Sequence, residues 1–295
     1  MTRPVFNAFF DDVARGHLAT AIDLALAEDG RDLTSDAVFS HDDQLLAEVV
    51  AKESTLVVGL PLIPLVMDRC PGAAPYILEQ LVDEGACLAK GTVAARIRGS
   101  ARHILKAERV ILNFICHLSG IANLTAAYAS ALEGTGTRLL DTRKTLPGLR
   151  YPEKYAVLMG GGFNHRLDLA QMLMLKDNHI DAAGSITAAV ARLRESYAPC
   201  PPIEVECRTI DEVREAVGCH VDRIMLDNMD IPLLRASLAI IPHEIETEIS
   251  GGVTLQSIRE LALASPDGPD FISVGRLTHS APTADFSMRI SKELP

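Results

Sequence analysis

The sequence predicts an α/β protein: a parallel strand–helix sheet of barrel type, preceded by a small antiparallel sheet packed on helices. After residue 135, six β-rich runs (TRLLDT, QMLMLK, PIEVEC, DRIMLD, EIETEIS and DFISVG) are separated by segments of helical periodicity such as AGSITAAVARLRESYA and TIDEVREAVG. Strand and helix alternating at this spacing is the pattern of a parallel sheet, and six units in roughly 140 residues point to a barrel. Between residues 43 and 100, by contrast, Gly85, Gly91 and Gly99 punctuate short alternating runs, the pattern of antiparallel strands and tight turns.

Composition narrows the function. A chain of 295 residues with 48% hydrophobic and 23% charged residues has material for a large core. A formal net charge of −11 without long basic runs argues against nucleic acid as the main partner. No secretory signal is read at the start, and the most apolar run, Leu56 to Met67, is broken by Pro61 and Pro64. The expectation is a cytoplasmic protein with no membrane partner. Cys70, Cys87, Cys116, Cys200, Cys207 and Cys219 show neither a CxxC pair nor metal spacing with histidine, and are read as reduced thiols.

In chain order, residues 15–29 have the apolar spacing of an amphipathic helix, with Leu18, Ile22 and Leu26 on its face, and RDLTSDAV reads as a loop leading to a strand. LLAEVVAKES, STLVVGL and the glycine-punctuated run from Asp83 read as strands. Residues 101–132 read as a helix with a wide apolar face, interrupted near Ser119-Gly120. Arg109 lies in this apolar helix, where an arginine commonly snorkels at the edge.

The barrel strands end in polar residues: Asp141, Arg143 and Lys144, then Lys176, Glu206, Asp227, Ser250 and Gly275. In such barrels function sits at those ends. Residues 141–180 hold six Lys/Arg against four acids inside an acidic protein, which suits a small anionic ligand. Arg143 and Arg166 offer paired donors to a planar carboxylate or phosphate. His165 is a donor or an orienting group. Ser250-Gly251-Gly252, ahead of the helical run TLQSIRELA, and Val274-Gly275-Arg276 read as phosphate loops. Glu206 and Asp227 are ligands for Mg²⁺ with a diphosphate, or counter-ions for Lys144 and Lys176. On these residues alone a barrel aldolase with Lys144 or Lys176 as a Schiff base competes with a transferase, and a silent metabolite binder is a third reading.

ALAED with DLTSDA, AERVILNFICHLSGIA, LLDTRKTLPGLR, EKYAVLMGGGFNHRLDLAQMLMLKDNHI, IEVEC, IMLDNM, ISGGVTLQSIR and DFISVGRLTHS carry a further signal. In this order they resemble the quinolinate phosphoribosyltransferase family. The resemblance spans most of residues 21 to 286. It implies an N-terminal α/β sandwich (residues 1–118, with 278–295 packing back on it) and an open α/β barrel (residues 119–277). The implied activity joins quinolinate to phosphoribosyl pyrophosphate with decarboxylation, in a homodimer that uses Mg²⁺.

By the same resemblance Arg109 would reach the neighbouring subunit's site, and Arg143, His165, Arg166 and Lys176 would hold the quinolinate carboxylates. Lys144, Glu206 and Asp227 would serve phosphoribosyl pyrophosphate and Mg²⁺, with Thr142 beside them. Ser250 to Gly252 and Val274 to Arg276 would take the 5-phosphate. Three departures from the family pattern stand out: a short loop at residues 28–34, Phe163, and the charge of Arg276.

Overall fold

A computed structural model describes residues 6–292. The remaining terminal residues, which fall in the expected N-terminal domain and its returning C-terminal segment, lie outside it. In chain order the elements begin with α1 (Phe6–Phe9), α2 (Asp12–Glu28), α3 (Leu33–Val38), β1 (Gln44–Ala51), β2 (Thr55–Leu56) and α4 (Leu62–Arg69). Next come β3 (Tyr76–Gln80), β4 (Cys87–Leu88), β5 (Val93–Ser100), α5 (Ala101–Ala131), β6 (Arg138–Leu140) and α6 (Arg150–Met159). Then follow β7 (Leu173–Leu175), α7 (Asp177–Ala183), α8 (Ile186–Ser196), β8 (Ile203–Cys207), α9 (Ile210–Gly218) and β9 (Arg223–Asp227). The chain closes with α10 (Ile231–Leu238), β10 (Glu246–Ser250), α11 (Ile258–Ala262), β11 (Phe271–Ser273), α12 (Arg276–His279) and β12 (Phe286–Lys292).

The chain divides into two compact units, residues 1–126, 145–161 and 277–295 in one, and residues 127–144 and 162–276 in the other. The division runs later along α5 than the sequence boundary at residue 118, and it counts α6 with the first unit. That unit is built on an antiparallel sheet of order β12-β1-β5-β3, in which Ala47 faces Ile290 on one side and Ile97 on the other. Burial of Ala14, Leu18, Ile22 and Leu26 gives α2 its inner face, and Asp11 caps it by accepting from Ala14 N at 2.8 Å.

Two local expectations are corrected here. RDLTSDAV contains a helix, α3, because Asp32 accepts the Ser35 amide at 2.9 Å and starts a turn that a loop reading misses. Helix α5 runs unbroken through Ser119 and Gly120. A Cβ on Gly120 would lie 2.9 Å from Thr283 Cα and 3.0 Å from Pro282 C, so this glycine admits a neighbouring backbone and breaks nothing. Ser119 Oγ meanwhile accepts Val58 N at 2.9 Å. By length and composition alone α5 is apolar enough to span a bilayer, yet Ile104, Ile111, Ile115 and Leu118 are buried.

The second unit holds a parallel six-stranded sheet of order β6-β11-β10-β9-β8-β7, with β6 and β7 at its edges. Glu204 pairs with Arg223, which pairs with Glu246, and Glu248 pairs with Phe271, which pairs with Arg138. Side chains alternate along a strand, so positions two apart share a face. Thus β8 places Glu204 and Glu206 on one face, β9 Arg223, Met225 and Asp227, and β10 Glu246, Glu248 and Ser250. Phe271 lies between two guanidinium groups, Arg138 at 4.1 Å and Arg223 at 4.2 Å from its ring centre, below the polar layers.

Candidate active site

At the C-terminal ends of the parallel strands a cavity of about 500 Å³ opens within the second unit. The backbone first brings DTRK and NHR together. Phe163 N donates to Leu139 O at 2.8 Å and Asp141 N to Phe163 O at 3.0 Å, zipping the later segment onto β6. Fully buried Asp141 then accepts from Asn164 Nδ2 at 2.7 Å and from His165 N at 2.8 Å. Two motifs more than twenty residues apart are therefore one structural unit around a carboxylate.

Thr142, Arg143, Lys144, His165, Arg166 and Lys176 line the cavity on its cationic side. The Arg143 Nε is buried and has no hydrogen-bond partner among the described residues. Burial first, and then the like charge of Arg143, pull Arg166 below its ordinary arginine value, although a guanidinium stays charged. Its Nη1 donates to Met172 O at 2.8 Å, and Nη2 reaches Met174 Sδ at 3.5 Å. Two like charges, one with an orphaned donor, gain from an anion between them.

Opposite lie Glu206 and Asp227. Lys176 Nζ stands 3.2 Å from Glu206 Oε2, a half-exposed ion pair, while Asp227 Oδ2 accepts from Asn228 Nδ2 at 2.6 Å. Ser250, Gly251 and Gly252 close that side. Gly251 has φ +94°, and a Cβ there would lie 2.9 Å from Asn228 N. Only glycine fits this approach. The sequence placed a helix N-terminus behind these glycines; α11 starts at Ile258, six residues later, and has five residues. Gly251 and Gly252 line this side without a helix end directly behind them.

Other sequence candidates lie elsewhere. Val274 is buried, with its N–H donating to Leu140 O at 2.9 Å, and neither it nor Gly275 nor Arg276 lines the cavity. Arg109 belongs to the first unit, where it is exposed. Sequence reasoning missed Asn228, Glu248 and Ser273, which line the cavity, and Glu204 beside His165. Two signals were legible: Asn228 follows a strand-end aspartate, and Glu204 and Glu248 each stand two residues before a strand-end polar residue, Glu206 and Ser250, on the same strand face.

His165 does not stand with an idle ring. Its Nδ1 accepts from Arg166 N at 2.7 Å, and Nε2 lies 3.0 Å from Glu204 Oε2 and 3.4 Å from Glu248 Oε2. These carboxylate contacts are close ion-pair distances without aligned hydrogen-bond geometry. Burial opposes charge on the ring, and the two carboxylates outweigh it, raising His165 to about 9. The Arg166 amide at Nδ1 works the other way, since an imidazolium has no lone pair there to receive it. Burial, then the like charge of Glu248, raise Glu204 above the usual carboxylate range.

Residues 32–119 match the quinolinate phosphoribosyl transferase N-terminal domain, and residues 121–289 match its C-terminal domain. The chain belongs to the quinolinate phosphoribosyltransferase family. It is 40% identical over 260 residues to a probable carboxylating nicotinate-nucleotide pyrophosphorylase of Bacillus subtilis, covering 88% of each chain. It is 39% identical over 298 residues to the chloroplastic carboxylating enzyme of Arabidopsis thaliana, covering 94% of this chain and 84% of the relative. Among solved structures, NadC from Streptococcus pyogenes superposes with a TM-score of 0.87 at 37% identity, covering 96% of this chain and 99% of that one. The quinolinate phosphoribosyltransferase architecture, an N-terminal sheet domain and an α/β barrel, is thus the architecture of this chain.

Proposed function

We infer that the barrel cavity is where this chain joins the ring nitrogen of quinolinate to ribose C1 of phosphoribosyl pyrophosphate. The enzyme is a decarboxylating phosphoribosyltransferase of de novo NAD synthesis: pyrophosphate leaves, then carbon dioxide, giving nicotinate mononucleotide. The observation that carries the site assignment is the Arg143 and Arg166 pair, with a buried Arg143 Nε lacking a partner. A dicarboxylate fits two guanidinium groups whose mutual repulsion it relieves.

The residues divide by chemistry. Arg143, Arg166 and Lys176 would hold the quinolinate carboxylates, with His165 organising the floor. Lys144 and the amides around Gly251 and Gly252 would take the phosphoribosyl pyrophosphate, where cations stabilise charge gathering on the leaving pyrophosphate. Glu206 and Asp227 fit a hard cation, being two carboxylates on adjacent strands of one cavity. They would hold Mg²⁺, which when bound neutralises charge on pyrophosphate. Glu206 also restrains Lys176. Once nitrogen bonds C1, the positive ring nitrogen stabilises the electron pair left on C2 when the C2–carboxylate bond breaks, and that pair then takes a proton.

A homodimer completes this reading. Arg109 is exposed and makes no hydrogen bond or ion pair among the described residues. Beside it on α5, an apolar groove of about 440 Å³ is lined by Leu24, Val110, Phe114 and Leu149. A second copy seated there would give Arg109 an anion-binding site to reach. The acidic surface supports a cytoplasmic enzyme with no membrane or nucleic-acid partner.

The test is incubation with quinolinate, phosphoribosyl pyrophosphate and Mg²⁺, following nicotinate mononucleotide and carbon dioxide, with nicotinate in parallel. Product from quinolinate alone, lost in Arg143→Ala or Arg166→Ala, supports the reading; folded protein giving none overturns it. Borohydride trapping of a lysine imine would instead favour the aldolase reading.

A further inference from the structure

At the cavity floor lie two carboxylates that the transfer reaction does not use, Glu248 lining the cavity and Glu204 beside His165. Glu204 and Glu248 are both fully buried, and each sits two positions before a residue of the cavity mouth, Glu206 and Ser250. Both Glu204 oxygens and Glu248 Oε1 are sealed from solvent and form no aligned hydrogen bond among the described residues. Arg223 Nη1, 3.4 Å from Glu248 Oε2, supplies one counter-charge from below. Burying a second carboxylate beside the first is costly, and a pair of well-packed apolar residues would serve the core better. Such a cluster directly under an anion site calls for a role in that site.

What the cluster touches is His165. Carboxylate oxygens either accept or share a proton between themselves, so the nitrogen facing both of them, Nε2, is the one that carries hydrogen. That leaves a lone pair on Nδ1, where the Arg166 amide donates at 2.7 Å. Arg166 is thereby fixed at its backbone, while Met172 O fixes its guanidinium from the other end. Reversing the tautomer would set two N–H groups against each other at Nδ1 and release the Arg166 main chain. Neither ring nitrogen of His165 is turned to the substrate space in this arrangement.

We propose that Glu204 and Glu248 are positioning residues for the quinolinate end of the site: they hold His165 as the Nε2–H tautomer, and His165 in turn orients Arg166. This deepens the phosphoribosyltransferase reading and rests on it for its kinetic consequence. The same three side chains offer donor atoms within 4.8 Å of one another, a spacing open to a metal ion. Arg223 already holds Glu248, and the structure assigns the group to orientation.

The full-length protein, labelled with ¹⁵N, gives a test that needs no turnover. Long-range ¹H–¹⁵N spectra, with the His165 signals assigned through His165→Gln, are expected to show a protonated Nε2 and a bare Nδ1. In Glu204→Gln and Glu248→Gln the amide can also donate, so the two tautomers mix. Glu204→Asp, which keeps an acceptor, retains the wild-type pattern. In steady-state assays the glutamine variants raise KM for quinolinate about tenfold and leave KM for phosphoribosyl pyrophosphate within about twofold. Should those variants fold poorly, His165→Asn, which keeps an acceptor for the Arg166 amide, is expected to bind quinolinate more tightly than His165→Leu.

Unchanged His165 spectra and quinolinate KM in both folded glutamine variants would overturn the proposal, as would equal losses for both substrates. So would a stoichiometric divalent metal in wild-type protein that disappears in Glu204→Gln. A wild-type protein without turnover would defeat the functional reading while leaving the spectra to judge the tautomer.

Discussion

Arg143 and Arg166 repel each other at close quarters, and a buried guanidinium Nε waits without a partner. Removing either charge therefore harms the liganded state more than the free one. Arg143→Ala and Arg166→Ala are each expected to lower kcat/KM for quinolinate by about 10- to 100-fold, on the scale of a lost hydrogen bond to a charged group. Thermal midpoints should hold or rise, because relieved repulsion offsets lost packing; steady-state assays and melting curves on the same samples check both. Gly251 makes the converse case. Its left-handed backbone and the nearby Asn228 amide leave no room for a methyl group. Gly251→Ala should raise KM for phosphoribosyl pyrophosphate at least tenfold and cost about 1–3 kcal/mol of stability.

Helix α5 shows how an element can be read correctly in kind and wrongly in continuity. Ser119-Gly120 looks like a break because glycine is a poor helix former, by about 1 kcal/mol relative to alanine. Contact overrides that propensity: the Pro282–Thr283 backbone crosses where a side chain would be. Gly120→Ala, which improves helix propensity, is expected to destabilise the protein by about 1–3 kcal/mol through overpacking, measured by urea unfolding. The barrel helices behave more simply. Ser185 and Thr209 cap α8 and α9 through the Ala188 and Glu212 amides, and each alanine substitution should cost about 1 kcal/mol in the same assay.

At the scale of the whole molecule the buried cluster couples stability to pH. The His165–Glu204–Glu248 cluster holds an extra proton in the folded protein: His165 is raised from 6.5 to about 9 and Glu204 is raised as well. The Arg166 amide at Nδ1 leaves that proton with the carboxylates and the ring as Nε2–H. Both shifts have one sign: the folded state binds more protons than the unfolded chain. Their contribution is fully present below the unfolded values and is lost as pH rises, for the proton shared within the cluster between 6.5 and about 9. Melting midpoints are expected to fall across that window, with a shallower fall in Glu204→Gln. Which residue holds the shared proton does not alter the sign. Subunit mixing tests the dimer: if Arg109 serves the neighbouring site, inactive Arg109→Ala and inactive Lys144→Ala chains should recover about one quarter of wild-type activity after joint dissociation and reassembly. No recovery would place Arg109 in its own subunit's chemistry or in none.

Strand–helix alternation after residue 135 determined the parallel sheet, because burial on both faces leaves apolar runs too regular for a loop. Strand ends named much of the cavity, from Arg143 and Lys144 through Lys176, Glu206 and Asp227 to Ser250, because a polar residue that terminates an apolar strand has few structural reasons to be there. Side-chain type and local order carry that information along the chain. Pairing does not travel in the same way. That Asp141 gathers Asn164 and His165, that β12 returns to β1, and that Glu204, Glu248 and Arg223 meet beneath His165 are long-range contacts. Each depends on register between distant strands, and only the folded sheet fixes that register.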